Sequence, residues 1–223
     1  MNATLTDRPA GPARPAPAPT YPVPAVARVS MAMTGALLVG VLTSFGQAVH
    51  GLSTLSNSAG PWFVAAVALC LAIRPGRGRL ALPLAMVSGV VLLELMHIGY
   101  WATTNLRGYP DVLSPTSSWV VMALPAGVLA GAVAVGVRSR DGRWRGAATG
   151  ATAAILVGEG VRSLLQVAAT TGAGTWIVEI GVGVVVLAAG VLLARSAVGR
   201  VVALGTGVLG TVGVLAVYLA LGG

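Results

Sequence analysis

The chain has no lysine, one cysteine, two histidines and six acidic residues among its 223 positions. Each scarcity excludes something. A single cysteine, Cys70, rules out an intramolecular disulfide and any cysteine-based metal site. Charged residues make up 9% of the chain, where a soluble domain carries about a quarter, so a water-facing surface of ordinary size cannot be built. No G-x-S-x-G nucleophile turn and no Gly-rich phosphate loop occurs, so no cofactor is expected.

What is present is apolar. Hydrophobic residues reach 56% and the mean hydropathy is +0.86. Apolar runs recur from residue 29 to the C-terminus, each near the roughly 20 residues that cross a bilayer. They lack the period-two alternation of a membrane β-barrel. The expected fold is an all-α, polytopic transmembrane bundle over residues 29–223. Seven spans are expected, at about 29–49, a second ending at Ile73, then 80–101, 119–137, 146–168, 175–194 and 201–221. The second is short, so Ser53, Thr54, Ser56, Asn57 and Ser58 must lie at or in the membrane, with Pro61 a candidate break. Residues 1–28, rich in Pro and Ala, read as a disordered cytoplasmic tail.

The net charge of +8 comes entirely from arginine. Twelve of the fourteen arginines fall in the tail and in the 2–3, 4–5 and 6–7 loops. Clusters between apolar runs face anionic headgroups rather than nucleic acid, and they put the N-terminus in the cytoplasm and the C-terminus outside. The site of action is then the bacterial cytoplasmic membrane. The partners expected are membrane lipids, with a protein partner at the Arg-rich loops as a further candidate. Trp62, Tyr100, Trp101, Tyr109, Trp119 and Trp176 fall at the opposite, outer interface. Trp62, Trp119 and Trp176 are each 57 residues apart, as are the loops "RSRDGR" and "RSAVGR". Either a parallel repeat or three hairpins of similar length explains this.

Polar residues inside the spans are the candidate site, because each charge costs about 2.5–3.5 kcal/mol at a helix centre. Glu94 and His97 sit at i and i+3 and share a helix face. Glu159 and Arg162 repeat that spacing; Glu179, His50 and Asn57 lie at a similar outer depth. A converging set would form a proton- or cation-responsive site open to the outside. A scattered set would be structural clamps, with Arg162 paired to Glu159 or Glu179. Three carboxylates face one Arg, so at least one Glu is expected to hold a proton, a cation or His⁺. A di-iron carboxylate site needs Glu-x-x-His twice plus two more Glu, and the motif occurs once, so no metal is expected.

The segments "LSNSAGPWFVAA" and "SSWVVMALPAGVLAGAVAVG", with the spacing of the Arg loops, resemble a family of small multi-pass membrane proteins from high-GC Gram-positive bacteria. That family is of unknown function, and the likeness covers most of residues 35–195. It implies a membrane location and six or seven helices, and no catalytic residue. Three classes of function follow in order: a small transporter or permease with a polar outward-facing site, a non-transporting scaffold or partner subunit, and an intramembrane lipid-acting enzyme using Glu94 and His97 as an acid–base pair.

Overall fold

A computed structural model describes residues 23–49, 51–74 and 78–220. His50 and residues 1–22 of the expected tail lie outside the described residues. Among the described residues the secondary structure is entirely helical. Seven long helices, α1 (Ala25–Gly46), α3 (Ala59–Ile73), α4 (Ala81–Leu106), α5 (Ser118–Val137), α6 (Gly142–Gln166), α8 (Gly174–Leu192) and α9 (Ala197–Ala220), are joined by short connections. Two of these connections contain one-turn helices, α2 (Ser53–Ser56) and α7 (Ala168–Thr171). The bounds match the sequence expectation within a few residues, because apolar runs and helix caps are local signals. Ser117 caps α5 by accepting from Val120 N at 3.3 Å, and Asp141 caps α6 by accepting from Arg143 N at 2.8 Å.

Five helices, α1, α4, α5, α8 and α9, are long and apolar enough to cross a membrane. The other two fall short for different reasons. α3 has 15 residues, about 22 Å at 1.5 Å per residue, against a core of about 30 Å. α6 has the length, 25 residues, but carries Arg143, Arg145, Glu159 and Arg162. Its position accounts for the tolerance: α6 packs on α5, α8 and α9, and Gly146, Gly150, Ala153, Ala154, Leu156 and Glu159 are all buried. Pro61 does not break α3. It lies in the first turn, where its missing N–H is harmless; the chain turns earlier, at Asn57 and Ser58.

The bundle has two centres. α4 packs on α1 and α5, and α6 packs on α8 and α9. α1 runs parallel to α4: Gly40 meets the Met96 carbonyl, and further along Ser44 meets Thr104. α6 runs parallel to α9, with Gly146 against Gly199 and Gly150 against Ala203. Lipid tails are as apolar as leucine, so helices associate here by close backbone approach rather than by hiding leucine from water. Gly89 shows the requirement: a Cβ there would overlap the Gly127 carbonyl of α5. Large apolar side chains point outward instead, Leu42, Val87, Val185, Val201 and Leu209 among them.

These directions put all the described Arg-rich connections at one end. Arg28 at the start of α1 donates to the carbonyl of Ile73, the last residue of α3, at 3.2 Å. The opposite end holds α2, α7 and the 107–117 connection. Trp62, Trp119 and Trp176 occupy the first turns of α3, α5 and α8 there. One 57-residue step relates the packing of α4 on α5 to that of α6 on α8, but not every pair follows it. α6 and α9 pack along their lengths, and their equivalents one step back, α4 and α6, have no comparable contact.

Candidate functional site

The polar residues singled out in the sequence fall into separate groups, all toward the Arg-poor end. The most buried group forms at the N-terminus of α3. Ser58 is its N-cap residue by backbone conformation, yet its side chain does not cap. Its hydroxyl donates instead to Glu179 of α8, at 3.2 Å from each carboxylate oxygen. The cap comes from another helix. Glu159 of α6 accepts from Ala59 N at 2.7 Å with one oxygen and from Gly60 N with the other. A carboxylate at this position meets free N–H groups and the positive end of the helix dipole. Both Glu159 and Glu179 are buried. Their carboxylates converge on the same helix start, Glu179 on the Ser58 hydroxyl and Glu159 on the Ala59 and Gly60 N–H groups. Gly60 is the hinge of the arrangement: a Cβ there would overlap Glu179 Oε1 and approach Glu159 Oε2 at 3.1 Å.

Arg162 does not join this pair. Among the described residues it forms no ion pair with Glu159 or Glu179. Its guanidinium lies 4.8 Å from the ring centroid of Tyr218 on α9, and its Nε is buried without a hydrogen-bond partner. The i, i+3 spacing from Glu159 brought the two onto neighbouring faces of α6. The backbone N–H groups of α3 occupy the carboxylate, and the α9 ring receives the cation.

His97 and Asn57 belong to a second group, a half-open pocket between α1, α3, α4 and α5. Gln47, Trp62, Tyr100 and Trp119 line it with them, together with Ser58. A hydrogen-bonded chain forms one wall. Tyr100 donates to Gln47 Oε1 at 3.0 Å, Gln47 donates to Asn57 Oδ1 at 2.7 Å, and Asn57 donates to the Ser53 carbonyl at 2.8 Å. The Trp62 and Tyr100 rings meet edge to face at 6.3 Å. His97 is 7% exposed, and its ring nitrogens find no hydrogen-bond partner among the described residues. Its nearest recorded ring contact is Tyr100, at 6.5 Å.

Glu94 and His97 are not brought together by the fold. Among the described residues no hydrogen bond joins them, and Glu94 does not line the pocket. Glu94 is half-buried, one turn beyond the Val90 that packs on Gly127, and its Oε1 is sealed without a partner. One helix face is wide enough for both residues to share it and still meet different neighbours. Among the described residues no three His, Cys, Asp or Glu side chains are grouped to hold a metal ion.

Sequence reasoning missed Gln47, Tyr100, Trp119 and Gly60 as parts of these sites. Gln47 carried a signal, being one of only two glutamines in the chain and sitting at the end of an apolar run. Arg107 was also passed over. It donates to the Ser44 carbonyl and to Ser44 Oγ, and lies over the rings of Phe45 at 5.0 Å and Tyr109 at 5.4 Å. It thereby ties the end of α1 to the end of α4.

Five apolar helices of membrane-crossing length, packed through glycine, define a multi-pass α-helical membrane protein. The comparison with protein families finds, as the resemblance implied, a family of unknown function. The chain belongs to the Family of unknown function (DUF6518), whose model matches residues 19–223. No curated protein and no solved structure matches the chain.

Proposed function

We propose that the protein spans the bacterial cytoplasmic membrane seven times, N-terminus inside and C-terminus outside, and acts as a small transporter or permease. It engages a polar group in the outer pocket around His97. The observation that carries this reading is His97 itself. The ring is 7% exposed and lines the cavity, so its one open edge faces whatever enters there. Ser58 supports it further, since it lines the same pocket and donates to Glu179, which meets Glu159 at the start of α3. A polar group entering from outside is thus one hydroxyl away from the buried carboxylates.

The seven-span count rests on two arguments. α6 is shielded by three neighbours, which offsets its charges. α2 and the Ser58 turn extend the short α3 at its outer end. The orientation rests on the arginine-rich end facing the cytoplasm. A second reading, a non-transporting scaffold with its Arg-rich loops on a partner protein or anionic lipid, draws on Glu159, whose carboxylate is committed to capping α3.

Cysteine accessibility tests the reading. In a Cys70→Ala background, Ser56→Cys should react with a membrane-impermeant maleimide in intact cells. Ser139→Cys, at the Arg-rich end, should react only after permeabilisation. The opposite pattern would reverse the orientation. A Ser56→Cys that stays unreactive in both states would mean a sealed bundle and leave the scaffold reading.

A further inference from the structure

The pocket around His97 is small. It has about 50 Å³ of room, and one water needs about 10–15 Å³, so roughly three or four waters fill it. Sugars, nucleotides and amino acids are too large. The hydrogen-bond directions in its wall narrow the choice further. Thr43 donates to the Val39 carbonyl at 2.8 Å, Tyr100 to Gln47 at 3.0 Å and Ser58 to Glu179 at 3.2 Å. A hydroxyl has one proton and two lone pairs. These three have therefore spent their protons on the protein, and what they still offer an occupant is lone pairs. A neutral imidazole at His97 adds one more acceptor. The wall suits an occupant that donates.

Charge points the same way. Trp62, Tyr100 and Trp119 bring three aromatic rings to this small space. Among the described residues, the arginines held over rings are Arg107, on Phe45 and Tyr109, and Arg162, on Tyr218. The pocket rings keep their negative faces for another cation. Behind the wall, Ser58 leads to Glu179, which meets Glu159 over Gly60. The pocket thus combines acceptors, ring faces and nearby acids in a volume of water size.

Resting on the pocket reading above, we propose that the His97 pocket binds ammonium. The ion is about the size of a water, carries the charge that the rings attract and donates in four directions. Its N–H groups meet the lone pairs of Thr43, Tyr100, Ser58 and His97. Potassium is of similar size, but three hydroxyl oxygens are too few to replace its water shell.

The test uses the full chain in mild detergent. Tryptophan emission is followed as ammonium, potassium or tetramethylammonium chloride replaces sodium chloride at constant pH and ionic strength. Ammonium should change the emission saturably. Potassium should need about tenfold more, a gap of one or two good contacts. Tetramethylammonium, too wide for the pocket, should have no effect. Thr43→Val keeps the side-chain shape and removes one acceptor, so it should weaken the ammonium response about tenfold, the scale of one hydrogen bond to a charged group. Trp119 is 55% exposed, so Trp119→Leu spares the fold and leaves Trp62 to report; it should weaken the response about threefold. Equal responses to ammonium and potassium would overturn the proposal, and so would an ammonium response that both variants leave unchanged. Labelling of Ser56→Cys from outside separates the two levels of failure. A reactive cysteine with no ammonium response leaves an open pocket and removes this ligand; an unreactive cysteine with no response removes the pocket reading as well.

Discussion

Replacing the carboxylates one at a time should separate the two members of the buried pair. Glu159 satisfies two backbone donors at the start of α3, the buried one of Gly60 and the half-buried one of Ala59. A buried donor left without a partner costs about 1–3 kcal/mol, and a half-buried one less. Glu159→Ala should therefore destabilise the bundle by about 2–4 kcal/mol, because no side chain of α3 is placed to take over the cap. Glu179 has a lighter duty. It accepts from Ser58 beside the Glu159 carboxylate. A glutamine can accept from Ser58 with its oxygen and donate to Glu159 with its nitrogen, so Glu179→Gln should lie within about 1 kcal/mol of the parent. Thermal unfolding in mild detergent, followed by fluorescence-detected gel filtration, reads both variants. A Glu159→Ala protein as stable as the parent would refute the inter-helix cap. A Glu179→Gln protein more damaged than Glu159→Ala would show that the roles are reversed.

Two further expectations concern packing. Arg107→Ala removes a donor to Ser44 and a cation held between Phe45 and Tyr109, so it should cost about 1–3 kcal/mol in the same assay; Arg107→Lys should recover only part, and full recovery would mean charge alone matters. Gly89→Leu should abolish the folded peak, since even a Cβ would strike the Gly127 backbone, whereas Gly181→Ala, with open space around it, should be silent; equal peaks for the two would refute close α4–α5 approach.

Helix positions, helix ends and the basic end of the molecule were legible in the amino-acid order. Each depends on interactions within a few residues or on the membrane itself: apolar run length, caps such as Ser117 and Asp141, and arginine placement. The level of the polar residues along the bundle was legible for the same reason, because it is counted along a single helix. Which of them meet was not. Helical periodicity gives the face a residue shares with its neighbours, and it says nothing of what the next helix presents to that face. Glu159 and Arg162 share a face and part company, one to the N–H groups of α3 and the other to Tyr218. Glu159 and Glu179, 20 residues apart and on different helices, come together over Gly60. His97 turned toward Tyr100 and the pocket, and Glu94 lies outside it. The relative rotation of the helices decided each outcome. That rotation is set by where backbones can touch, at Gly40, Gly89, Gly146 and Gly150, a choice made between distant parts of the chain.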